Sequence, residues 1–256
     1  MRKNIAEHLW LWCHPAGCYN GQWNLPGEST LTPVEAAAHM GIKNAVMVVY
    51  SNEPQPPFNT YAKQFSGLDK VVWSIVGDGS SKRNDASSDL HHVIGLKTEL
   101  ANLQGGIMDD FFGNGRACLE KVSAFTDELH AANLDLWVVL YGHQLDDTPD
   151  LEKYLELCDY INFWTWRAEE LPLLETRLDK LRNIAPDKKI ALGCYMWDFG
   201  DGKAMSVDDM QCQCELALEK FNQGLVSDIV MLGSPMCGMD IATIEWSKNW
   251  IAGIIG

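Results

Sequence analysis

Gly105-Gly106-Ile107-Met108-Asp109-Asp110-Phe111-Phe112 is the stretch whose reading decides the fold. An apolar run of strand character stops abruptly at two adjacent carboxylates. Burying a charge is costly, so a short apolar strand does not ordinarily end in two acids without a use for them. At the carboxyl end of a strand in a closed α/β barrel, such acids face the site that the following loops build. The competing reading has one Asp capping the next helix and the other in solvent.

Working outward, seven further apolar runs of strand length flank this one. The full set covers residues 9–13, 45–50, 70–76, 106–108, 134–141, 160–166, 189–196 and 228–232. Most are followed by a helical pattern. Thr32-Pro33-Val34-Glu35 opens the first, with Thr as N-cap, Pro in the first turn and Glu35 closing a capping box. Later helices are expected over 89–103, 117–132, 148–157, 171–184, 206–222 and 241–254, and a long polar loop over 80–88. Strands that are apolar throughout are covered on both faces. Eight such strand-helix units, with no linker-like break in composition, predict a single (β/α)8 TIM barrel spanning residues 1–256. An open doubly wound sheet would carry a Gly-rich turn after an early strand, and neither G-x-G-x-x-G nor a P-loop is present.

At 256 residues and 46% hydrophobic content the chain is large enough for one such barrel. Its formal net charge of -15 argues against a nucleic-acid partner, which would need a basic face, and against an anionic membrane surface. A neutral small molecule or oligosaccharide is the ligand easiest to reconcile with that charge. The 8 cysteines, at 13, 18, 118, 158, 194, 212, 214 and 237, form no C-x-x-C pair. Cys212-Gln213-Cys214 has no nearby histidine, so no zinc site and no other cofactor is expected. Scattered thiols in apolar runs fit reduced cysteines in a cytoplasmic protein. The basic start Met1-Arg2-Lys3-Asn4 precedes an apolar run broken by Glu7, His8 and His14, which makes neither a signal sequence nor a membrane span.

Collecting the strand ends brings candidate site residues together. They include His14, Glu53, Asp78, Asp109, Asp110, Tyr141, His143, Trp164, Trp166, Arg167, Tyr195, Trp197, Asp198 and Ser234. No G-x-S-x-G and no H-E-x-x-H occurs, so hydrolysis by those routes has no support. Of the 10 tryptophans, Trp73 and Trp137 read as core, whereas Trp164, Trp166 and Trp197 sit near the mouth, where indole rings stack on sugars. Alternation puts Asn162, Trp164 and Trp166 on one face, facing the barrel interior. The same rule applied to the fourth strand turns Gly106, Met108, Asp110 and Phe112 inward, packs Ile107 against the helices and leaves Asp109 at the rim.

Cys158-Asp159-Tyr160-Ile161-Asn162-Phe163-Trp164-Thr165-Trp166 resembles the sixth-strand motif D-Y-x-N-x-M-x-Y-D of chitinase-type glycoside hydrolases (family 18), and Lys188-Lys189-Ile190-Ala191-Leu192-Gly193 is similar to the start of their seventh strand. In that family the fourth strand ends D-G-x-D-x-D-x-E, with the final Glu as general acid. Aligned on Gly106, only Asp110 meets a family carboxylate. Phe112 stands where the acid would be and Arg167 where the sixth-strand Asp would be. The resemblance implies a barrel that handles sugars, without the family's substrate-assisted chemistry.

Together these readings point to a glycoside hydrolase-like enzyme acting on a neutral oligosaccharide or glycoside through two carboxyl groups across the scissile bond. Asp110 is the first, Asp198 after the seventh strand its leading partner, and Asp109, Glu53 and Glu169 stand behind it. Because alternation points neighbours apart, Asp109 and Asp110 are not expected to be the pair. Tyr141 or Tyr195 would hold a carboxylate, and Trp164, Trp166, Trp197, Asn162, His143 and His14 would contact substrate. Two alternatives stand beside this. One is a non-catalytic carbohydrate-binding barrel. The other is a metal-assisted hydrolase or lyase using the Asp pair with His143, for which a His14, His143 and Asp110 metal set is conceivable.

Overall fold

The computed structural model describes residues 4–85, 89–112 and 118–256. The expected basic start at 1–3, the end of the polar loop at 86–88 and the helix start at 117 lie outside them. Eight parallel strands close into a barrel in sequence order, β1 pairing with β8. They are β1 (Leu9–Cys13), β2 (Asn44–Met47), β3 (Lys70–Val76), β4 (Leu103–Met108), β5 (Asp135–Tyr141), β6 (Tyr160–Trp164), β7 (Lys189–Tyr195) and β8 (Asp228–Leu232).

The helices are α1 (Pro33–Met40), α2 (Asn59–Ala62), α3 (Leu90–Leu96), α4 (Leu119–Ala131), α5 (Gln144–Asp147), α6 (Leu151–Leu157), α7 (Leu174–Ile184), α8 (Val207–Asn222) and α9 (Ala242–Ile255). The capping box read at Thr32 forms: its hydroxyl accepts from Glu35 N–H while the Glu35 carboxylate accepts from Thr32 N–H. Gly41 ends α1 in the left-handed region at φ +69°, where a residue without a Cβ is unstrained. The helix expected over 89–103 stops at Leu96, because the chain must turn early enough for Leu103 of β4 to pair with Val71 of β3. No helix among the described residues is long and apolar enough to cross a membrane.

Contacts across the barrel fix which residues point inward. Trp10 of β1 meets Trp137 of β5, on the opposite wall, with ring centroids 5.2 Å apart, and Trp12 meets Trp164 of β6 at 5.4 Å. Such pairs can form only through the interior. Trp137 stacks on Tyr160 at 4.0 Å, and Trp10 donates its indole N–H to Asp228 at 2.9 Å. A layer of large rings therefore fills the amino-terminal half of the barrel, as side-chain layers fill such barrels generally. Trp73 instead packs against Phe58 and Phe65 in the outer, helix-facing layer.

On β4 the alternation runs opposite to the sequence reading. A Cβ on Gly106 would meet Ile75 at 2.8 Å and Leu129 of α4 at 3.2 Å, whereas one on Gly105 would meet the Trp137 ring at 3.2 Å. Gly106 thus faces the helices, and Ile107 and Asp109 share the interior side with Gly105. The inversion arises because neither glycine carries a side chain to mark its face.

Candidate active site

The carboxyl ends of all eight strands converge on a cavity of about 300 Å³. Trp12, Trp164 and Leu232, buried almost completely, form its floor. Gly193 makes room for that floor, since a Cβ there would lie 2.1 Å from the Trp164 ring. One wall is aromatic, from Trp166, Tyr195 and Phe199 to Tyr19, Trp23 and Tyr50. The other carries three carboxylates, Asp78, Asp109 and Asp110, with Tyr141 beside them.

Asp109 is the inner acid, only 5% exposed. Burial pushes its carboxyl well above the usual carboxylate range, and the charges of Asp110 and Asp78 push the same way. Asp110 follows at φ +44°, a left-handed conformation that Asp tolerates better than most residues. That turn breaks the strand alternation at its end, so both acids line one cavity. It corrects the expectation that neighbours would point apart, and it reverses their depths: Asp109 lies inside and Asp110 nearer the mouth.

Asp110 is well held. Tyr141 donates its hydroxyl proton to Asp110 Oδ1 at 2.9 Å, and Gly79 N–H donates to Oδ2 at 2.9 Å. Burial, then the charges around it, keep the Tyr141 phenol well above its ordinary pKa, so it remains a donor. Tyr195 is shifted up too, by burial first and then by Asp109 and Asp110. Asp78 anchors the loop after β3: Oδ1 accepts from Ser51 N–H and Ser81 Oγ, and Oδ2 from Ser80 N–H and Ser80 Oγ.

His14 lies in the wall with both ring nitrogens engaged. Nδ1 is 3.1 Å from the Val48 carbonyl and Nε2 is 3.0 Å from the Trp12 indole N–H. A carbonyl can only accept and an indole N–H can only donate, so the ring is the neutral Nδ1–H tautomer. Burial agrees, lowering its pKa to about 4. Among the described residues no group of three or more His, Cys, Asp or Glu is arranged to hold a metal ion, the His14, His143 and Asp110 set included.

The remaining expected residues divide. Trp164, Trp166, Tyr141 and Tyr195 line the cavity with Asp109 and Asp110. His143 stacks on Tyr141 at 5.7 Å and belongs to an adjoining outer cleft of about 480 Å³. Asn162 is buried below the floor, donating to the Ala191 carbonyl at 2.9 Å. Asp198 is 1% exposed but stands outside the lining, where its Oδ1 accepts from Asp201 N–H in the loop after β7. Trp197 also stands outside it, donating to the Trp23 carbonyl at 3.1 Å. Arg167 and Glu169 pair with each other near the surface, 3.6 Å apart.

Sequence reasoning named Trp166 and Tyr195 of the aromatic wall and passed over Phe199, Tyr19, Trp23 and Tyr50. Phe199 lies past the end of β7 at Tyr195, where alternation no longer holds: Trp197, on the same parity, stands outside the lining. Tyr19 and Trp23 lie in the long β1–α1 loop, where no periodicity marks a facing direction.

No protein-family model and no curated protein sequence matches the chain. Solved structures do resemble it in fold. The spore cortex-lytic enzyme SleL of Bacillus megaterium superposes with a TM-score of 0.61 at 11% identity, covering 100% of this chain and 75% of that one. A candidate alpha-L-fucosidase of Bacteroides thetaiotaomicron gives 0.53 at 11% identity, over 87% and 84% of the two chains. The tryptophan synthase alpha-subunit of Pyrococcus furiosus gives 0.52 at 13% identity, over 100% and 99%. The chain is a TIM barrel. Neighbours at such low identity carry the fold alone, and barrels of this kind host unrelated chemistries.

Proposed function

We propose that this barrel is a glycoside hydrolase-like enzyme acting on a neutral glycoside, with Asp109 as the protonated carboxyl group and Asp110 as the ionised one. The observation that carries the reading is the pairing of a buried Asp109, whose carboxyl is pushed up by burial and by its acidic neighbours, with a partly exposed Asp110 whose two oxygens accept from Tyr141 and Gly79. Two carboxyl groups in opposite protonation states are what glycosidic cleavage commonly requires. Asp109 would give its proton to the glycosidic oxygen as the bond to the anomeric carbon breaks. Asp110 would stabilise the positive charge developing on the ring and take a proton from the water that forms the new bond. Trp166, partly exposed in the cavity wall, offers a face on which a sugar ring stacks, above the buried Trp164 of the floor. Three acidic side chains in one cavity, Asp78 and Asp110 beside Asp109, disfavour an anionic substrate and suit a neutral one rich in hydroxyl groups. The fold neighbours named as a spore cortex-lytic enzyme and a candidate alpha-L-fucosidase are compatible with this reading.

The test is a panel of 4-nitrophenyl glycosides of neutral sugars, assayed with the wild type, Asp109→Asn and Asp110→Asn. Release of nitrophenol by the wild type, lost in both variants, supports the assignment. Turnover undiminished in either variant removes that residue from the chemistry. A sugar-dependent rise in melting temperature without turnover makes the protein a non-catalytic carbohydrate-binding barrel instead.

A further inference from the structure

The inner cavity ends blindly. Beneath its floor of Trp12, Trp164 and Leu232 the barrel is filled by the Trp10 and Trp137 rings. One side is closed by loops tied to each other, the β1–α1 loop to the loop after β7. Trp197 donates to the Trp23 carbonyl at 3.1 Å, and the Asn24 side chain donates to the Gly202 carbonyl at 3.0 Å. The outer cleft, by contrast, continues directly from the cavity. Trp23, Gly79, Asp110, Tyr141 and Trp166 line both, and Phe112, His143 and Gln144 extend the outer part.

Resting on the reading above, we infer that the enzyme is exo-acting: the blind cavity takes one terminal sugar ring and the outer cleft takes the group attached to its anomeric carbon. A cavity of about 300 Å³ sits at the small end of ligand pockets, which run from roughly 300 to 1,000 Å³. One ring with its hydroxyl groups suits that space, and the floor leaves no path for a chain to pass through. Asp110 belongs to both compartments and Asp109 lines the inner one, so the scissile bond is assigned to their junction. The parallel rings of Tyr141 and His143 and the edge of Trp166 then form a platform for the leaving group. Such a platform favours a flat or ring-shaped group over a small alkyl one.

The experiment uses matched methyl and 4-nitrophenyl glycosides of neutral monosaccharides, with 4-nitrophenyl glycosides of disaccharides. Affinity is read by tryptophan fluorescence and products by chromatography. The nitrophenyl glycoside of the preferred sugar should bind more tightly than its methyl counterpart. That ratio should fall about fivefold to tenfold in His143→Ala and in Trp166→Ala. Any cleavage of a disaccharide glycoside should release the terminal ring first. Release of an intact disaccharide, or a ratio unmoved by both variants, overturns the one-ring assignment while leaving the hydrolase reading standing. Binding in the expected order with no hydrolysis upholds the one-ring pocket and removes the hydrolase reading. A panel in which nothing binds removes both.

Discussion

Tyr141 on β5 donates its hydroxyl to Asp110 at the end of β4, 2.9 Å away, and so ties together two neighbouring strand ends at the centre of the cavity. The bond orients a carboxylate whose backbone already sits in the left-handed region at φ +44°. Gly79 N–H takes the other oxygen from the β3 side. Asp110 is thus positioned from both neighbouring strands, as a reacting group must be if orientation is to lower a barrier.

Tyr141→Phe should therefore keep the fold and lose rate. A hydrogen bond to a charged group is worth about 1.5–3 kcal/mol, or roughly 10- to 100-fold in rate. The expected outcome is a drop of that size in kcat/KM on the best glycoside, with an unchanged far-UV circular dichroism spectrum. Activity at the wild-type level would mean that Asp110 needs no help from Tyr141.

Asp109 makes stability depend on pH with a definite sign. Its carboxyl is raised in the folded chain, so the folded state holds the proton more tightly than the unfolded state does. The stability it contributes is complete below the ordinary Asp value of about 3.9 and is lost as pH rises through the folded value, at about 1.4 kcal/mol per pH unit in between. Asp109→Asn lacks this loss. Its melting temperature relative to wild type should climb from pH 4 towards pH 7, by about 2–4 °C for each kcal/mol of that loss in a chain of this size. A difference independent of pH would show that Asp109 is ionised in the folded protein.

Most of the barrel was legible because buried parallel strands write themselves as continuous apolar runs, and the cap at Thr32 follows from local hydrogen bonding. The β4 face was not. Side-chain alternation can be read only where side chains mark it, and Gly105-Gly106 left the register open by one residue. That slip exchanged the depths of Asp109 and Asp110. The convergence of the two acids on one cavity was hidden for another reason, since a left-handed residue at Asp110 violates the extended geometry on which alternation rests. Asp198 drew attention as an acid after β7. Its Oδ1 accepts from the Asp201 N–H of its own loop and its Oδ2 lies 3.9 Å from Lys203 Nζ, and only tertiary structure distinguishes that placement from facing a ligand.

His14 acts on stability in the opposite pH direction to Asp109. Buried and neutral, it has a folded pKa lowered to about 4, although the Val48 carbonyl and the Asp78 charge oppose the shift. The stability associated with the neutral ring is present above the unfolded value of about 6.5 and is lost as pH falls from there through 4. A shift of this size amounts to roughly 3 kcal/mol. His14→Asn retains a donor for Val48 but does not titrate. Its urea midpoint should change less between pH 7 and pH 4 than that of the wild type. Equal slopes would require His14 to titrate normally in the folded protein.

Gly193 sets the depth of the cavity. On β7 its Cα faces Trp164, and an added Cβ would lie 2.1 Å from two carbons of the indole. Trp164 cannot retreat, because its far side meets Trp12 at 5.4 Å over the packed rings of the barrel interior. It must therefore move up into the cavity or drive the strands apart. Overpacking a tight core costs about 1–3 kcal/mol. Gly193→Ala should lower stability by at least that amount, alter the near-UV circular dichroism of the tryptophans and weaken sugar binding together. A variant that loses stability yet binds ligand as the wild type does would place the sugar away from the Trp164 floor.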